Sequence, residues 1–146
     1  MPDLRRPALA LLAGLALGLL ASPARADATA DGGAADASRP FLVKIHADWC
    51  GTCQKLNPTW LELEREVGDG ARMVILDVTD RERLEASQAL AEQLGLAAFF
   101  AEYKARTGTI AVLRGDDRAK VEVFKGVTEV APYEGALARA RSADRS

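Results

Sequence analysis

The chain is poor in the features that would make it several other kinds of protein. Its 19 Lys+Arg do not exceed its 21 Asp+Glu, leaving a formal charge of -2. There is no basic field to release counterions from a polyphosphate, which excludes a general nucleic-acid binder. No apolar run reaches the roughly 20 residues of a spanning helix, which excludes a polytopic membrane protein. Cysteine occurs only at Cys50 and Cys53, and histidine only at His46. Two cysteines cannot build a disulfide-dense scaffold or a four-cysteine zinc site, and adding His46 makes three ligands, one short of a closed zinc site. What is present is 146 residues, 49% hydrophobic and 27% charged, the composition of one foldable globular domain.

The first 26 residues have the pattern of a secretory signal peptide. A short segment ending in Arg5-Arg6 precedes an apolar run from Ala8 to Ala21, and Ala24-Arg25-Ala26 supplies the small residues of a cleavage site. Cleavage is expected after Ala26, with an uncleaved anchor as the alternative. The cleavage point has no cysteine beside it, so a lipoprotein anchor is excluded. Removing Asp3, Arg5, Arg6 and Arg25 leaves a mildly acidic exported domain. Residues 27–39 (DATADGGAADASR) contain no large apolar side chain and read as a flexible leader. The ordered domain is expected over residues 40–140, followed by a polar tail at 141–146.

Within that domain strands and helices alternate. Residues 41–47 form a near-continuous apolar run, interrupted by Lys44 and His46, as in a central strand covered on both faces. A helix is predicted over 50–67, with Leu56, Trp60, Leu63 and Val67 on one face and a kink at Pro58. A second strand is expected at 73–78 and a helix from the Asp80 cap to Leu94, stopped by Gly95. A short helix over 97–105 would place Phe99, Phe100 and Tyr103 in the core. Residues 109–113 and 120–124 read as a hairpin turning near Asp116-Asp117, and a closing helix from Pro132 runs to Ala140. The order implies an α/β sandwich with a mixed sheet.

The chemistry concentrates in Trp49-Cys50-Gly51-Thr52-Cys53, where the first strand meets its helix. Two cysteines three apart at a helix start lie on one face, with Cα atoms about 5 to 6 Å apart, a separation that suits a disulfide. The first thiol faces unpaired N–H groups, which favour its thiolate. Cys50 is therefore read as the attacking residue and Cys53 as the resolving one. A structural staple is the weaker reading, because closing so short a loop removes little chain entropy.

These residues resemble the thioredoxin superfamily. The likeness rests on Ala47-Asp48-Trp49-Cys50-Gly51-Thr52-Cys53 with Pro58 five residues on, and extends from Phe41 to about Ala140. Followed by Gln54, the motif looks most like exported or membrane-tethered thioredoxin-like thiol–disulfide reductases. The resemblance implies a three-layer sandwich with a mixed four-stranded sheet, here lacking the first strand and helix of full-length thioredoxin. It also exposes departures. An acid on the first strand, beneath the second cysteine, is replaced by Lys44, expected to point at the underside of the Cys50–Cys53 helix and to pair with a thiolate or lose its proton. A cis-proline before the hairpin, which lends backbone to the substrate in the family, is matched here by Thr107-Gly108-Thr109, with no proline; Gly108 and Thr109 are the redox-tuning or docking candidates at that position. His46 takes a position often aromatic in the family. Trp49, Gly51 and Thr52 are expected to shape the docking surface.

The implied function is a periplasmic or secreted thiol–disulfide oxidoreductase, monomeric and without an organic cofactor, that exchanges Cys50–Cys53 with client protein thiols or disulfides. A membrane thiol donor or acceptor would reset it. Two alternatives remain: a metal-binding or metal-delivery module using Cys50, Cys53 and His46, and an interaction protein whose disulfide only senses redox state.

Overall fold

The computed structural model describes residues 38–143; the expected signal peptide, the leader up to residue 37, and residues 144–146 lie outside the described residues. Four strands, β1 (Phe41–His46), β2 (Arg72–Asp77), β3 (Thr109–Leu113) and β4 (Lys120–Lys125), form one sheet in the order β2-β1-β3-β4. β1 is parallel to β2 and antiparallel to β3, and β3 is antiparallel to β4. The five helices are α1 (Gly51–Lys55), α2 (Asn57–Val67), α3 (Arg81–Gln93), α4 (Ala97–Tyr103) and α5 (Ala131–Ala143). This is the thioredoxin-like α/β sandwich with a mixed four-stranded sheet.

The run at 41–46 is apolar on both faces because helices cover both faces. Phe41, Val43 and Ile45 pack with Leu96, Phe99 and Phe100 on the α3/α4 side. Leu42 packs with Trp60 and Leu63 of α2 and with Tyr133 and Leu137 of α5. β3 is likewise buried at every position, whereas edge strand β4 buries only Phe124. Each large side chain so buried contributes roughly 1.5–3 kcal/mol. The parallel β1–β2 pair requires a crossover, and α1 with α2 supplies it. That connection fixes the cysteine pair at the C-terminal end of β1.

The predicted single helix over 50–67 is two helices. Pro58 has no N–H and its ring collides with the carbonyl four residues earlier, so the chain breaks at Leu56 and restarts with Pro58 in the first turn of α2. The closing helix starts at Ala131 and continues past the expected end at Ala140 to Ala143. Arg141 explains the extension, donating from Nη2 and Nε to the Gly70 carbonyl at 3.1 and 3.3 Å. Helix α4 ends at Tyr103, whose ring stacks on Phe99 with centroids 4.7 Å apart. Asp80 caps α3 as expected, accepting the Arg83 N–H at 2.9 Å.

Candidate active site

Cys50 is the N-cap of α1, with extended backbone, and its sulfur accepts the Cys53 N–H at 3.1 Å. The two residues are disulfide-bonded, with Cα atoms 5.2 Å apart. Their exposures differ: Cys50 is 8% exposed and Cys53 0%, so of the two residues only Cys50 keeps any surface open to solvent. Cys53 Sγ lies 3.7 Å from the Ile45 carbonyl oxygen, in a small apolar cluster with Ala47 and Val78. Because α1 has only five residues, its macrodipole is small; the Cys53 N–H is the local group that favours negative charge on Cys50.

The segment before the cysteines is tied to the loop after β2. The Trp49 indole N–H donates to the Thr79 carbonyl at 3.0 Å, yet the ring is 66% exposed. The Asp48 N–H donates to Thr79 Oγ1 at 2.9 Å, and Gln54 Nε2 to the Asp48 carbonyl at 2.7 Å. Arg83 Nη1 reaches Asp48 Oδ2 at 2.6 Å, and His46 Nε2 lies 3.2 Å from Asp48 Oδ1. The Arg83 bond first, and the His46 contact second, hold the Asp48 carboxyl below its ordinary pKa. His46, Asp48 and Asp77 bring ligand atoms within 4.8 Å of one another, but Arg83 stands 3.8 Å from Asp77 Oδ2 as well. Its guanidinium occupies the electrostatic role a cation would have. Neither cysteine belongs to that group.

Gly108 forms the opposite wall. Its φ is +77° and no described peptide bond is cis. A Cβ on Gly108 would lie 2.8 Å from Thr52 Cγ2 and 3.7 Å from Cys50 Sγ, and one on Gly126, also left-handed, 3.2 Å from the same methyl. Thr52 thus sits between two glycines that only a missing side chain allows. The Gly108 N–H donates to the Ile45 carbonyl at 3.0 Å, and its own carbonyl accepts the Gly126 N–H at 3.1 Å, so both backbone groups are engaged within the fold. Thr109 is buried in β3, paired with Ile45 and Lys125. Gly51 is exposed with open space around its Cα. Beside Trp49 lies a groove of about 390 Å³ walled by Val78, Leu84, Lys104, Ala105 and Thr107.

Lys44 is 1% exposed. Its amine donates to Asn57 Oδ1 at 2.7 Å, just past the end of the cysteine helix. Asn57, Thr79, Arg83 and Gly126 were not singled out by sequence. Three of them act across 13 to 35 residues, a separation that carries no local pattern. Only Asn57 had a cue, as the residue before the helix-breaking Pro58.

The thioredoxin family model matches residues 27–103, more than half of the chain. A thiol:disulfide interchange protein TxlA homolog from Synechocystis sp. is 37% identical over 51 residues, 35% of this chain and 28% of that protein; the match spans under a third of the relative's length. Fasciola hepatica thioredoxin superposes with a TM-score of 0.48 at 19% identity, covering 70% of this chain and 82% of that one. Oxidised thioredoxin O2 from Arabidopsis thaliana gives 0.45 at 25% identity, covering 74% and 80%. With a cysteine pair at bonding distance where the central strand passes into its helix, the chain belongs to the thioredoxin family.

Proposed function

We propose that the protein is an exported oxidoreductase in which Cys50 attacks a client disulfide and Cys53 resolves the complex. The observation that carries this reading is the asymmetry of the pair: only Cys50 keeps surface open to solvent, and its sulfur accepts an N–H from the residue that later displaces the client. In the reducing direction the Cys50 thiolate displaces one client thiolate and forms a mixed disulfide. Cys53 thiolate then attacks the Cys50 sulfur, releasing the second client thiolate and leaving Cys50–Cys53 oxidised. Two electrons pass to the client, and a membrane dithiol donor restores the protein. The oxidising direction is the reverse sequence, with a membrane acceptor.

Clients would dock on exposed Trp49 and the groove beside it. Gly108, whose backbone is already engaged, serves as the close-packed wall that keeps Thr52 and Cys50 in place. Export is supported by the tripartite pattern of residues 1–26. The described residues include no helix long and apolar enough to cross a membrane. Metal delivery through Cys50, Cys53 and His46 is less well supported, since His46 turns its Nε2 to Asp48 rather than to sulfur.

The test is equilibration of the purified protein with graded dithiothreitol and trapping of free thiols. A reversible two-electron couple supports the oxidoreductase. An unresponsive disulfide, or stoichiometric bound metal with no couple, rejects it in favour of a staple or a metal carrier.

A further inference from the structure

A fully buried lysine is rare, because removing an ammonium from water costs more than burying its stem gains. Lys44 is such a residue, in the middle of β1 between Ile75 of β2 and Ile110 of β3. Its amine donates to Asn57 and lies 5.7 Å from the centre of the Trp60 ring. A cavity of about 370 Å³ adjoins it, lined also by His46, Leu61, Glu64 and Ile75. The titratable groups facing it are therefore Glu64 from α2 and His46 from β1; β2 and β3 present isoleucines. Burial pulls the Lys44 pKa below its ordinary value, and the charge of Glu64 works against that shift.

The placement of this amine ties it to the cysteines. Asn57 is the first residue of α2, directly after the break at Leu56, and follows Cys53 by four residues, about one helical turn. On the strand side, the Ile45 carbonyl that Cys53 Sγ approaches to 3.7 Å belongs to the residue after Lys44. Lys44 is thus linked to both segments that hold the buried sulfur: it bonds the residue one turn after Cys53 and precedes the residue whose carbonyl Cys53 Sγ approaches.

We propose that Lys44 is a positioning residue for the dithiol: held through Asn57 at the seam of the broken helix, its amine places positive charge just past the end of the cysteine helix and favours the reduced, thiolate-bearing form over the disulfide. The inference rests on the oxidoreductase reading. Reduction by a dithiol donor brings two electrons and two protons to Cys50–Cys53. The disulfide offers an ammonium no charge to pair with, whereas a thiolate does. The protein is therefore more oxidising than it would be without that charge.

Reduction potentials in glutathione buffers and thiolate absorbance against pH should be measured for the unmodified protein, Lys44→Met and Asn57→Asp. Lys44→Met keeps the stem and removes the charge. The expected result is an equilibrium constant for disulfide reduction about tenfold lower, a potential lower by about 30 mV, and a raised thiol pKa. Asn57→Asp sets a carboxylate against the same amine and should shift both readouts in the same direction. Asn57 is at the surface, so this variant decides the matter if Lys44→Met does not fold. Unchanged potential and thiol titration in the folded variants overturn the inference while leaving the oxidoreductase standing. Absence of any couple in the unmodified protein overturns both.

Discussion

The two faces of the sheet are built from the same strand on opposite terms. Toward α3 and α4, β1 sends Phe41, Val43 and Ile45 into a mainly apolar layer, whose polar members are Ser87, bonded to Asp77, and the Arg72 and Arg118 guanidiniums over the Phe41 ring. Toward α2 and α5 it sends Leu42, Lys44 and His46, and most polar groups there meet partners: Lys44 on Asn57, Trp60 Nε1 on Glu64, Thr59 on the Thr128 carbonyl, Tyr133 on the Val127 carbonyl, while His46 Nδ1 is buried with no hydrogen-bond partner. The contrast shows a division of labour. Apolar packing holds the strand that carries the site, while the polar layer sets a buried lysine at the end of the cysteine helix.

Four substitutions act unequally on the two faces. The largest effect is expected from Phe100→Ala on the apolar side, where the ring is fully buried. Urea unfolding should show a loss of about 3–5 kcal/mol, with the reduction potential unmoved in the folded protein. Next is Gly108→Ala, which combines a left-handed backbone with a Cβ 2.8 Å from Thr52 Cγ2; a cost of about 1–3 kcal/mol is expected. Adding Thr52→Ser removes that methyl but keeps Cβ, 2.9 Å from the new carbon, so it should recover only part of the steric cost, which a double-mutant cycle reads directly.

Tyr133→Phe on the polar side removes the 2.6 Å bond to Val127 and leaves a part-buried carbonyl without that donor, for a loss of about 1 kcal/mol. The same burial pushes the Tyr133 pKa up to about 12, so ultraviolet titration should show one tyrosine ionising near that pH in the unmodified protein and not in the variant. The smallest effect concerns Lys44 and stability. Its folded pKa is lowered, so between that pKa and the unfolded value of about 10.4 the unfolded chain holds the extra proton. Stability contributed by this group should rise with pH across that window and fall as pH drops through it. Denaturation midpoints of Lys44→Met should lack this rise.

Much of this was legible in the sequence. The apolar run at 41–46, the spacing of Trp60 and Leu63, and the Asp80 cap each express a local rule, and the elements follow. The cysteine pair was legible for the same reason, since separation by three at a helix start dictates its geometry. Pro58 was read as a kink, but the ring's collision with the preceding turn is enough for a complete break, and that break creates the seam where Asn57 receives Lys44. Lys44 was expected beneath the cysteine helix; its amine reaches instead to the residue just beyond it, a question of side-chain reach that periodicity does not encode. The Thr79 and Arg83 contacts to Asp48 and the Gly126 contact to Thr52 depend on how distant elements meet, so no window of sequence contained them.

Trapping of client complexes separates the roles of Cys50 and Cys53. Cys53→Ser and Cys50→Ser variants should be incubated with oxidised client extracts, quenched with alkylating agent and separated by diagonal electrophoresis. Cys53→Ser is expected to accumulate mixed disulfides, because the complex at Cys50 loses its intramolecular exit, while Cys50→Ser accumulates none. Equal trapping by both variants, or trapping by Cys50→Ser alone, contradicts the assignment.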